Sequence, residues 1–298
     1  MERTKIKSFK KADAILTADW HLREDVPACR VDAFWETQWK KVDFISALQK
    51  KHACPVFHSG DLFDYWKPSP MLLSKTMYHL PDWFMTVYGN HDLPQHNIEL
   101  KHKSGVFTLE TANKLSVFDT CHWLEIPTKA SYLWQVEGLD TKTVLVWHVM
   151  TYQGLVPWPG CEAPKSSKLL MKYPQFDMII TGDNHIPFVE EYKGRLLVNP
   201  GSIFRMTTKQ SDHKPRVYLW YADTNTVEPV YLPIANDAIS NAHIEQAKDR
   251  DNRIDAFIST LDNDWEASLS FEQNLEIFIT KNEVEEEVLQ IVREAMEK

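Results

Sequence analysis

The feature that most constrains the fold of this chain is a series of short polar clusters, each of which directly follows an apolar run. The runs are short and rich in β-branched and aromatic residues, which is typical of buried strands. They begin at Ala14, Pro55, Trp83, Thr143 and Phe176. The clusters are Asp19-Trp20-His21, Gly60-Asp61-Leu62-Phe63-Asp64, Gly89-Asn90-His91-Asp92, His148, Gly182-Asp183-Asn184-His185 and Asn199-Pro200-Gly201-Ser202. The pattern predicts that the polar side chains lie at the carboxyl ends of strands.

The residue types in these clusters are those that bind transition metals without sulfur. Imidazole nitrogens and carboxylate or amide oxygens are ligands for Mn²⁺, Zn²⁺ or Fe. A shared carboxylate can hold two such ions about 3.5 to 4 Å apart, which is the separation used for in-line attack on phosphorus. The order and spacing of the clusters therefore point to a two-metal phosphoesterase site.

The apolar pattern also predicts a layered α/β fold. Between the first two clusters, apolar residues recur at roughly helical spacing, as a crossover helix over a sheet requires. These residues are Val31, Phe34, Trp35, Val42, Ile45 and Leu48. Three later runs, which begin at Arg195, Arg216 and Val227, are separated only by turns and favour an antiparallel closing sheet. Two sheets packed between helices are expected.

The length and composition predict one large domain and a small appendage. The chain has 298 residues, and its hydrophobic content of 43% is sufficient for a real core. Residues 1–235 have the mixed α/β character, whereas residues 236–298 read as a mostly helical unit. Its predicted helices are Ile244–Leu261, Phe271–Ile279 and Val284–Met296. The apolar stripe of the last helix favours ordinary packing over a partner surface.

The negative charge of the chain is confined to its tail. The net charge is −9, and residues 245–298 hold 15 Asp or Glu and 6 Lys or Arg. Residues 1–244 hold 27 residues of each sign and are formally neutral. The acidity therefore argues against binding of a nucleic acid to the tail, but not to residues 1–244. We interpret the acidic surface of the tail as a solvated face. Two bound divalent ions would add positive charge where a phosphodiester has to bind.

Cysteine usage and hydropathy indicate a protein of the reducing cytoplasm that does not enter a membrane. The four cysteines, Cys29, Cys54, Cys121 and Cys161, are scattered without a CxxC spacing. The basic N-terminus carries an apolar run that is too short for a signal sequence. No stretch approaches the roughly 18 apolar residues of a membrane span.

Together, the clusters resemble the motifs of the calcineurin-like metallophosphoesterase superfamily, which run DxH, GDxxD, GNHD, H and GHxH in this order. Residues 18–22, 60–64, 88–92 and 199–205 are most similar to SbcD-type DNA exonucleases, the bacterial and phage relatives of the meiotic-recombination nuclease. The Pro-Gly-Ser followed by Arg205 is the most specific of these segments. The resemblance implies a four-layer sandwich, with two mixed β-sheets flanked by helices and a small helical C-terminal unit.

By position, the resemblance implies two divalent ions, with Mn²⁺ expected and Mg²⁺, Fe or Zn²⁺ as alternatives. The implied ligands are Asp19, His21 and His185 for the first ion, Asn90 and His148 for the second, and Asp61 as the bridge. A hydroxide activated by both ions would attack phosphorus. His91 would act as general acid, and the neighbouring Asp92 would orient its imidazole and favour its protonated form. Arg205 and the backbone of Gly201-Ser202 would contact a substrate phosphate.

One position departs from the family pattern. Where the family has GHxH, this chain has Gly182-Asp183-Asn184-His185, so Asp183 replaces an expected imidazole of the second ion. Two interpretations are open. Asp183 ligates and shifts the preference toward a harder ion such as Mn²⁺ or Mg²⁺, or the second ion is held weakly and activity is reduced. We favour the first, because every other ligand position is intact.

Several further residues near the clusters have an ordinary structural interpretation that we prefer. Asp64 is expected to support its loop rather than to bind metal. His58 and His96 could line a groove, but structural or surface roles are more common for lone histidines. The loop that contains Tyr152 and Trp158 follows His148 and is either a lid, a base-stacking wall or a packed loop.

The sequence therefore predicts a metal-dependent DNA nuclease of SbcD type, with 3′ to 5′ exonuclease or single-strand endonuclease activity implied by resemblance alone. The same resemblance implies a homodimer, an SMC-like ATPase partner of SbcC type, and the cytoplasm of a bacterium or a phage-infected host. The helical tail would be a cap or a partner-docking unit. The alternatives are a metallophosphoesterase for a small phosphodiester or phosphomonoester, and a scaffold used only for binding. The pair His91 and Asp92 argues against the last.

Overall fold

The computed structural model describes residues 10–118, 132–134, 142–235, 237–264, 270–282 and 284–296. The chain divides into two compact units, Met1–Ile239 and Ser240–Lys298. Among the described residues, Cys29, Cys54 and Cys161 are free thiols, and Cys121 lies outside these residues. None of the described helices combines the length and the apolar content that a membrane span requires.

Within the described residues, eleven strands form two mixed sheets. The strands are β1 (Ala14–Thr17), β2 (Val56–His58), β3 (Phe84–Thr86), β4 (Ser116–Val117), β5 (Tyr132–Trp134), β6 (Lys142–Trp147), β7 (Met178–Thr181), β8 (Phe188–Tyr192), β9 (Arg195–Asn199), β10 (Arg216–Tyr221) and β11 (Thr226–Tyr231). The first sheet has the order β11-β10-β1-β2-β3-β4, and the second has the order β5-β6-β7-β9-β8. Parallel pairing runs from β1 to β4 and from β6 through β7 to β9.

The helices of the larger unit connect these strands. They are α1 (Phe34–His52), α2 (Pro70–His79), α3 (Gly105–Thr111) and α4 (Ser166–Lys172). The predicted crossover helix corresponds to α1, which buries Phe34, Val42 and Ile45. Val31 lies three residues before the start of this helix and is 64% exposed, so the first residue of the predicted apolar face is not part of it. The helix ends where Ala53 adopts a left-handed conformation and donates to Gln49 O.

Alternation along the strands produces three apolar layers. Successive side chains of a strand point to opposite faces of its sheet. Ile15 therefore joins the layer on the helix-covered face of the first sheet, whereas Leu16 joins the layer between the two sheets. In the second sheet, Ile180 faces this middle layer and Ile179 joins the layer that contains Leu170 of α4. The central strands of each sheet are buried on both faces, which explains why they read as continuous apolar runs. The predicted sandwich of two mixed sheets flanked by helices is confirmed.

The predicted antiparallel sheet of the three late runs is wrong in one respect. β10 and β11 form an antiparallel pair in the first sheet. β9 belongs to the second sheet, where it lies parallel to β7 and antiparallel to β8. The hairpin partner of β9 is therefore β8, which precedes it in the chain. The segment between β9 and β10 crosses from one sheet to the other.

The smaller unit is helical, as the sequence indicates. Its helices are α5 (Ala242–Asp264), α6 (Phe271–Lys281) and α7 (Glu286–Met296). Ser270 caps α6 through a reciprocal pair of hydrogen bonds with Gln273. Leu275 and Phe278 are buried in a small apolar cluster of this unit, to which Val292 contributes.

Candidate metal centre

The polar clusters meet where the carboxyl ends of the parallel strands of both sheets face each other. Asp19 and His21 follow β1, Asp61 follows β2, and Asn90 follows β3. From the second sheet, His148 follows β6, and Asp183 and His185 follow β7. The donor atoms of Asp19, His21 and His185 lie within 4.8 Å of one another, as do those of Asp19, Asp61 and His148. The structure thus brings together residues from five separate parts of the sequence.

Backbone conformation at these positions is unusual and shared. Asp19, His21, Asp61 and Asp183 all have positive φ angles, of 50°, 43°, 58° and 69°. Side chains other than glycine rarely adopt this region, and such strain persists only where the surroundings enforce it. Strands β1, β2 and β7 are therefore followed by sharp turns that carry these four side chains. These positive φ angles were not predicted from the sequence.

Asp61 lies between two groups of donors. Its Oδ2 is 3.5 Å from His21 Nε2 and 3.4 Å from His148 Nε2. Its other oxygen, Oδ1, accepts a hydrogen bond of 2.9 Å from the backbone N–H of His91. Gly89 permits this placement, because a Cβ there would lie 2.0 Å from Asp61 Oδ1. The carboxylate is therefore fixed in the position that a ligand shared between two ions requires.

The first donor group consists of Asp19, His21 and His185 together with Asp61. The Nε2 atoms of His21 and His185 are 3.1 Å apart. Asp19 and His21 are almost fully buried, yet Asp19 Oδ2 and His21 Nδ1 have no hydrogen-bond partner. Burial of an unpartnered carboxylate oxygen is costly unless a cation compensates it. This orphaned oxygen, beside two imidazoles, fits a divalent ion.

The second donor group is built around His148. Its Nε2 lies 2.9 Å from Asn90 Oδ1, and its Nδ1 lies 2.7 Å from the carbonyl oxygen of Ser59. Because a carbonyl oxygen can only accept, Nδ1 donates to Ser59, and Nε2 is the atom that faces Asn90 and Asp61. The imidazole packs against Gly60, where a Cβ would approach within 2.5 Å of Nδ1. The Ser59 carbonyl was not found by sequence reasoning, since any residue type can supply it.

Electrostatic coupling within the site is strong. Burial raises the pKa of Asp19 to about 8, although His148 opposes this shift. Burial works against ionisation of Asp61 as well, but the charges of His148 and His21 hold the pKa of Asp61 well below its usual range. Burial disfavours protonation of His148, yet Asp61, Asp19 and Asp183 together raise its pKa to about 10. Burial also lowers the pKa of His21 to about 3.

Asp183 lies at the rim of the second donor group. Its backbone N–H donates to Asp19 Oδ1 over 2.9 Å, and its Oδ1 lies 4.0 Å from His148 Nε2. The side chain is 41% exposed, in contrast to the nearly complete burial of Asp61 and His148. The substituted position of the motif is therefore next to the other expected ligands.

His91 is placed to face solvent beside the donor groups. Its ring lies edge-on to that of His21, with a centroid distance of 4.7 Å. Its Nδ1 lies 2.7 Å from the backbone carbonyl oxygen of Asp64, so Nδ1 donates and Nε2 points away from this contact. The Asp64 side chain pairs with Arg23 at 3.0 Å and lies 3.5 Å from His21 Nδ1. The backbone carbonyl of Asp64 thus orients the imidazole of His91.

The expectation that Asp92 orients the imidazole of His91 is wrong. The Asp92 carboxylate is fully buried and accepts hydrogen bonds from the backbone N–H groups of Leu62, Phe63 and Gly89. Burial raises the pKa of this carboxyl, which the charge of Asp61 reinforces. Asp92 therefore ties the loop after β2 to the loop after β3. Although Asp92 follows His91 in the chain, its carboxylate points toward backbone N–H groups and not toward the imidazole.

A cavity of about 720 Å³ opens beside the second donor group. Asn90, His148, Asp183 and His185 form one wall, and the loop after β6 contributes Trp158, which is 52% exposed. His96 also lines the cavity. Among the described residues that line it, none is Lys or Arg. The loop is therefore a wall of the site, with its tryptophan available to a ligand.

The comparison with protein families agrees with this geometry. Residues 15–219 match the model of the calcineurin-like phosphoesterase superfamily domain. The chain belongs to the calcineurin-like phosphoesterase superfamily. Members of this superfamily are metal-dependent hydrolases of phosphoesters, and the donor groups described above fit the divalent ions that they bind.

Solved structures that are similar to this superfamily member show low identity. An archaeal phosphodiesterase is 15% identical, with 74% of this chain and 99% of that chain covered and a TM-score of 0.41. Vacuolar protein sorting 29 from Cryptosporidium parvum is 15% identical, covering 74% and 98%, with a TM-score of 0.36. A metallophosphoesterase from Sphaerobacter thermophilus is 14% identical, covering 79% and 94%, with a TM-score of 0.37. No curated protein matches the chain.

Arg205 and Ser202, the expected substrate contacts, have protein partners. The Arg205 guanidinium is largely buried and donates to the carbonyl oxygens of Ser211 and Ala235. Ser202 Oγ donates to Phe204 O at 2.7 Å, and its backbone N–H donates to His185 O. Both residues therefore hold the segment after β9 in place, and a contact with substrate stays a prediction.

His58 has the structural role that its isolation in the sequence favoured. It is fully buried, its Nδ1 lies 2.8 Å from Thr86 Oγ1, and its ring packs edge-on against Trp20. Burial lowers its pKa to about 3, which keeps the imidazole neutral. His58 therefore belongs to the core beneath the metal centre and not to the cavity.

Proposed function

We propose that this protein is a metal-dependent phosphodiesterase that hydrolyses the phosphodiester bonds of DNA ends, as a nuclease of SbcD type. The observation that carries the proposal is the position of Asp61 Oδ2, 3.5 Å from His21 Nε2 and 3.4 Å from His148 Nε2. Two donor groups that share one carboxylate are what two-ion phosphoester hydrolysis needs. Divalent ions bound there would supply the positive charge that activates water and stabilises the phosphorane-like transition state.

His91 supplies the proton that the leaving oxygen needs. Its Nδ1–H is engaged by the Asp64 carbonyl, so a second proton on Nε2 is the one available for transfer. The backbone N–H of the same residue donates to Asp61 Oδ1, which fixes the loop relative to the donor groups. The imidazole is exposed and is therefore accessible to a substrate.

The preference for DNA is supported by the similarity of residues 199–205 to SbcD segments and by the wall formed by Trp158. An exposed indole beside a phosphoesterase site can stack on the base of a terminal nucleotide, which contributes about 1 to 3 kcal/mol per base.

A second candidate is a phosphodiesterase or phosphatase for a small molecule. It is favoured by the cavity lining, in which the described residues include Glu162 and Asp183 but neither Lys nor Arg. A site for a long polyanion would normally gather cations along its path. A substrate with one phosphoester and an apolar or aromatic group would suit this lining.

The test is Mn²⁺-dependent hydrolysis of end-labelled linear DNA, with bis-p-nitrophenyl phosphate, a mononucleotide and a cyclic dinucleotide run in parallel. Wild type is compared with His91→Ala and with His102→Ala, a matched control at an exposed histidine. His91→Ala is expected to lose about 10²- to 10⁴-fold in DNA hydrolysis with unchanged metal content, because the proton donor is removed. The control is expected to equal wild type.

Brisk hydrolysis of a small substrate without any DNA cleavage would replace the DNA nuclease by the second candidate. Equal activity of His91→Ala and wild type on every substrate would remove His91 from the reaction. Absence of hydrolysis with all substrates and ions would favour a binding scaffold.

A further inference from the structure

The two donor groups of the metal centre are chemically unequal. The first contains two imidazoles, those of His21 and His185, whose Nε2 atoms are 3.1 Å apart. The second contains one imidazole, that of His148, surrounded by oxygen donors. The difference arises at Asp183, where the superfamily motif carries a histidine.

Three oxygen atoms surround His148 Nε2, and Asp183 supplies the most distant of them. From His148 Nε2, Asn90 Oδ1 lies at 2.9 Å, Asp61 Oδ2 at 3.4 Å and Asp183 Oδ1 at 4.0 Å. Donors that share an ion through bonds of about 2.1 Å lie about 3 to 4.2 Å apart, depending on whether they are neighbours or opposite. All three separations are close to this range. A donor set of three oxygens and one nitrogen results.

The backbone of Asp183 is held at the boundary of the two donor groups. Its N–H donates to Asp19 Oδ1, a carboxylate of the first group, and its φ angle is 69°. Aspartate tolerates this left-handed conformation better than most residues do. The side chain extends to the cavity wall beside His148, where it is still 41% exposed. An ion in the second group would therefore have an accessible carboxylate next to it.

We propose that Asp183 is a ligand of the second metal position and makes that position selective for a hard divalent ion such as Mn²⁺ or Mg²⁺. Oxygen donors favour hard ions, whereas imidazole suits Zn²⁺ and Fe. The first position, with two imidazoles, accepts these borderline ions. The centre is therefore built to hold two different ions. The inference rests on the proposed function only in taking these donor groups as the working metal centre.

The experiment measures metal binding without any substrate. Metal-free protein is titrated with Mn²⁺ and with Zn²⁺ by calorimetry, and bound Mn²⁺ is followed by its electron paramagnetic resonance spectrum. The variants are Asp183→Gly, Asp183→Asn and Asp183→His. Glycine is used instead of alanine because the φ angle of 69° would strain a Cβ. Glu162→Ala, which removes another carboxylate of the same cavity, is the matched control.

Wild type and Glu162→Ala are expected to bind two Mn²⁺ ions and to show the spectrum of a spin-coupled pair. Asp183→Gly is expected to weaken the second Mn²⁺ by at least about tenfold and to lose the coupled spectrum, while the first ion stays bound. Asp183→Asn, which keeps an oxygen donor, is expected to fall between them. Asp183→His is expected to shift the second position toward Zn²⁺ by at least about tenfold relative to Mn²⁺.

Two Mn²⁺ ions bound to Asp183→Gly with wild-type affinity and a wild-type spectrum would overturn the proposal. So would an unchanged ratio of Zn²⁺ to Mn²⁺ binding in Asp183→His. If the glycine variant unfolds, the asparagine and histidine variants decide the same question, because both retain a side chain in this position. DNA cleavage is not a readout, so failure here leaves the proposed nuclease activity to its own test.

Discussion

Two buried charged regions contact the segment that follows β9, and they differ in how their charges are satisfied. One is the metal centre. The other is a group of three buried basic side chains, Arg30, Lys41 and Arg205, with Asp32, which we call the cation cluster. Arg30 pairs with Asp32 at 2.6 Å, Lys41 Nζ donates to Ile203 O at 2.6 Å, and Arg205 donates to two carbonyl oxygens. The cation cluster finds its partners within the chain.

The metal centre does not find all of its partners within the chain. Asp19 Oδ2 and His21 Nδ1 are buried without a hydrogen bond. In the cation cluster, the one such atom among the described residues is Arg205 Nε. Burial of polar groups without partners costs about 1 to 3 kcal/mol each, so a chain retains several of them together only where something else compensates. The comparison teaches that the cation cluster serves the fold, whereas the metal centre is completed from solution.

The two regions are also mechanically joined. Ser202 donates its backbone N–H to His185 O, and its neighbour Ile203 accepts from Lys41. Arg30 donates to Arg205 O over 3.0 Å. The cation cluster therefore holds the backbone of residues 202–205, which is hydrogen-bonded to the carbonyl oxygen of His185. Changes in the cluster should be felt first as lost stability, and changes in the centre as lost metal and lost activity.

The largest effect that this comparison predicts is for Asp61→Asn. Loss of the shared carboxylate should reduce hydrolysis by more than about 10³-fold and prevent simultaneous binding of two ions, because both donor groups lose the same charge. The measurements are initial rates under saturating Mn²⁺ and metal stoichiometry by mass spectrometry. Asp25→Asn, at an exposed carboxylate paired with Arg23, is the control and should equal wild type. Two bound ions and near-normal rates in Asp61→Asn would contradict the assignment of Asp61 as the bridge.

Most residues of the metal centre could be predicted from the sequence. Ligand-type side chains at strand ends, in motif order, located Asp19, His21, Asp61, Asn90, His148 and His185 together. They were predictable because each follows an apolar run and parallel strands end at one edge. The supporting contacts were not. The carbonyl oxygens of Ser59 and Asp64, which fix the imidazoles of His148 and His91, carry no residue-type signal.

The sequence is least informative about contacts between residues that are far apart in the chain. Asp92 lies next to His91 in the chain, yet its carboxylate bonds backbone groups that belong to the loop after β2. β9 lies between β8 and β10 in the chain, and only the sheet topology shows that it pairs with β7 and β8. Arg205 follows a motif that suggested a phosphate contact, but its guanidinium turns toward Ser211 and Ala235. In each case local pattern indicates the residue type and tertiary contacts determine its partner.

A smaller effect, on stability, is predicted for Arg205→Lys. A lysine cannot reach both Ser211 O and Ala235 O, so the free energy of unfolding should fall by about 1 to 3 kcal/mol. Chemical denaturation measures this loss, and Arg216→Lys, a half-buried arginine at the start of β10, is the matched control. KM for DNA should change little at a temperature where both proteins are folded. A raised KM with unchanged stability would instead assign Arg205 to the substrate, as the sequence suggested.

The smallest and most specific effect concerns the pH dependence that Lys41 gives to stability. Lys41 is only 1% exposed. This burial, together with the charges of Arg30 and Arg205, lowers its pKa from 10.5 to about 7. In the unfolded chain the ammonium keeps its ordinary pKa. Between about pH 7 and 10.5 the unfolded chain therefore binds a proton that the folded protein lacks, and the free energy of unfolding should rise with pH. Below about pH 7 both forms are protonated and the gain is absent.

Substitution of Lys41 isolates this contribution, because Lys41→Met removes the titrating group and nearly conserves its volume. The free energy of unfolding of this variant minus that of wild type should fall between pH 7.5 and 9.5, by about 1 kcal/mol per pH unit. Lys40→Met, at the exposed neighbour, should show no such slope. The loss of the bond to Ile203 O adds an offset that does not depend on pH, so the slope alone reports the titration. A slope of zero would mean that Lys41 stays protonated when folded, and that the cation cluster, like the metal centre, holds a charge that only an additional partner can satisfy.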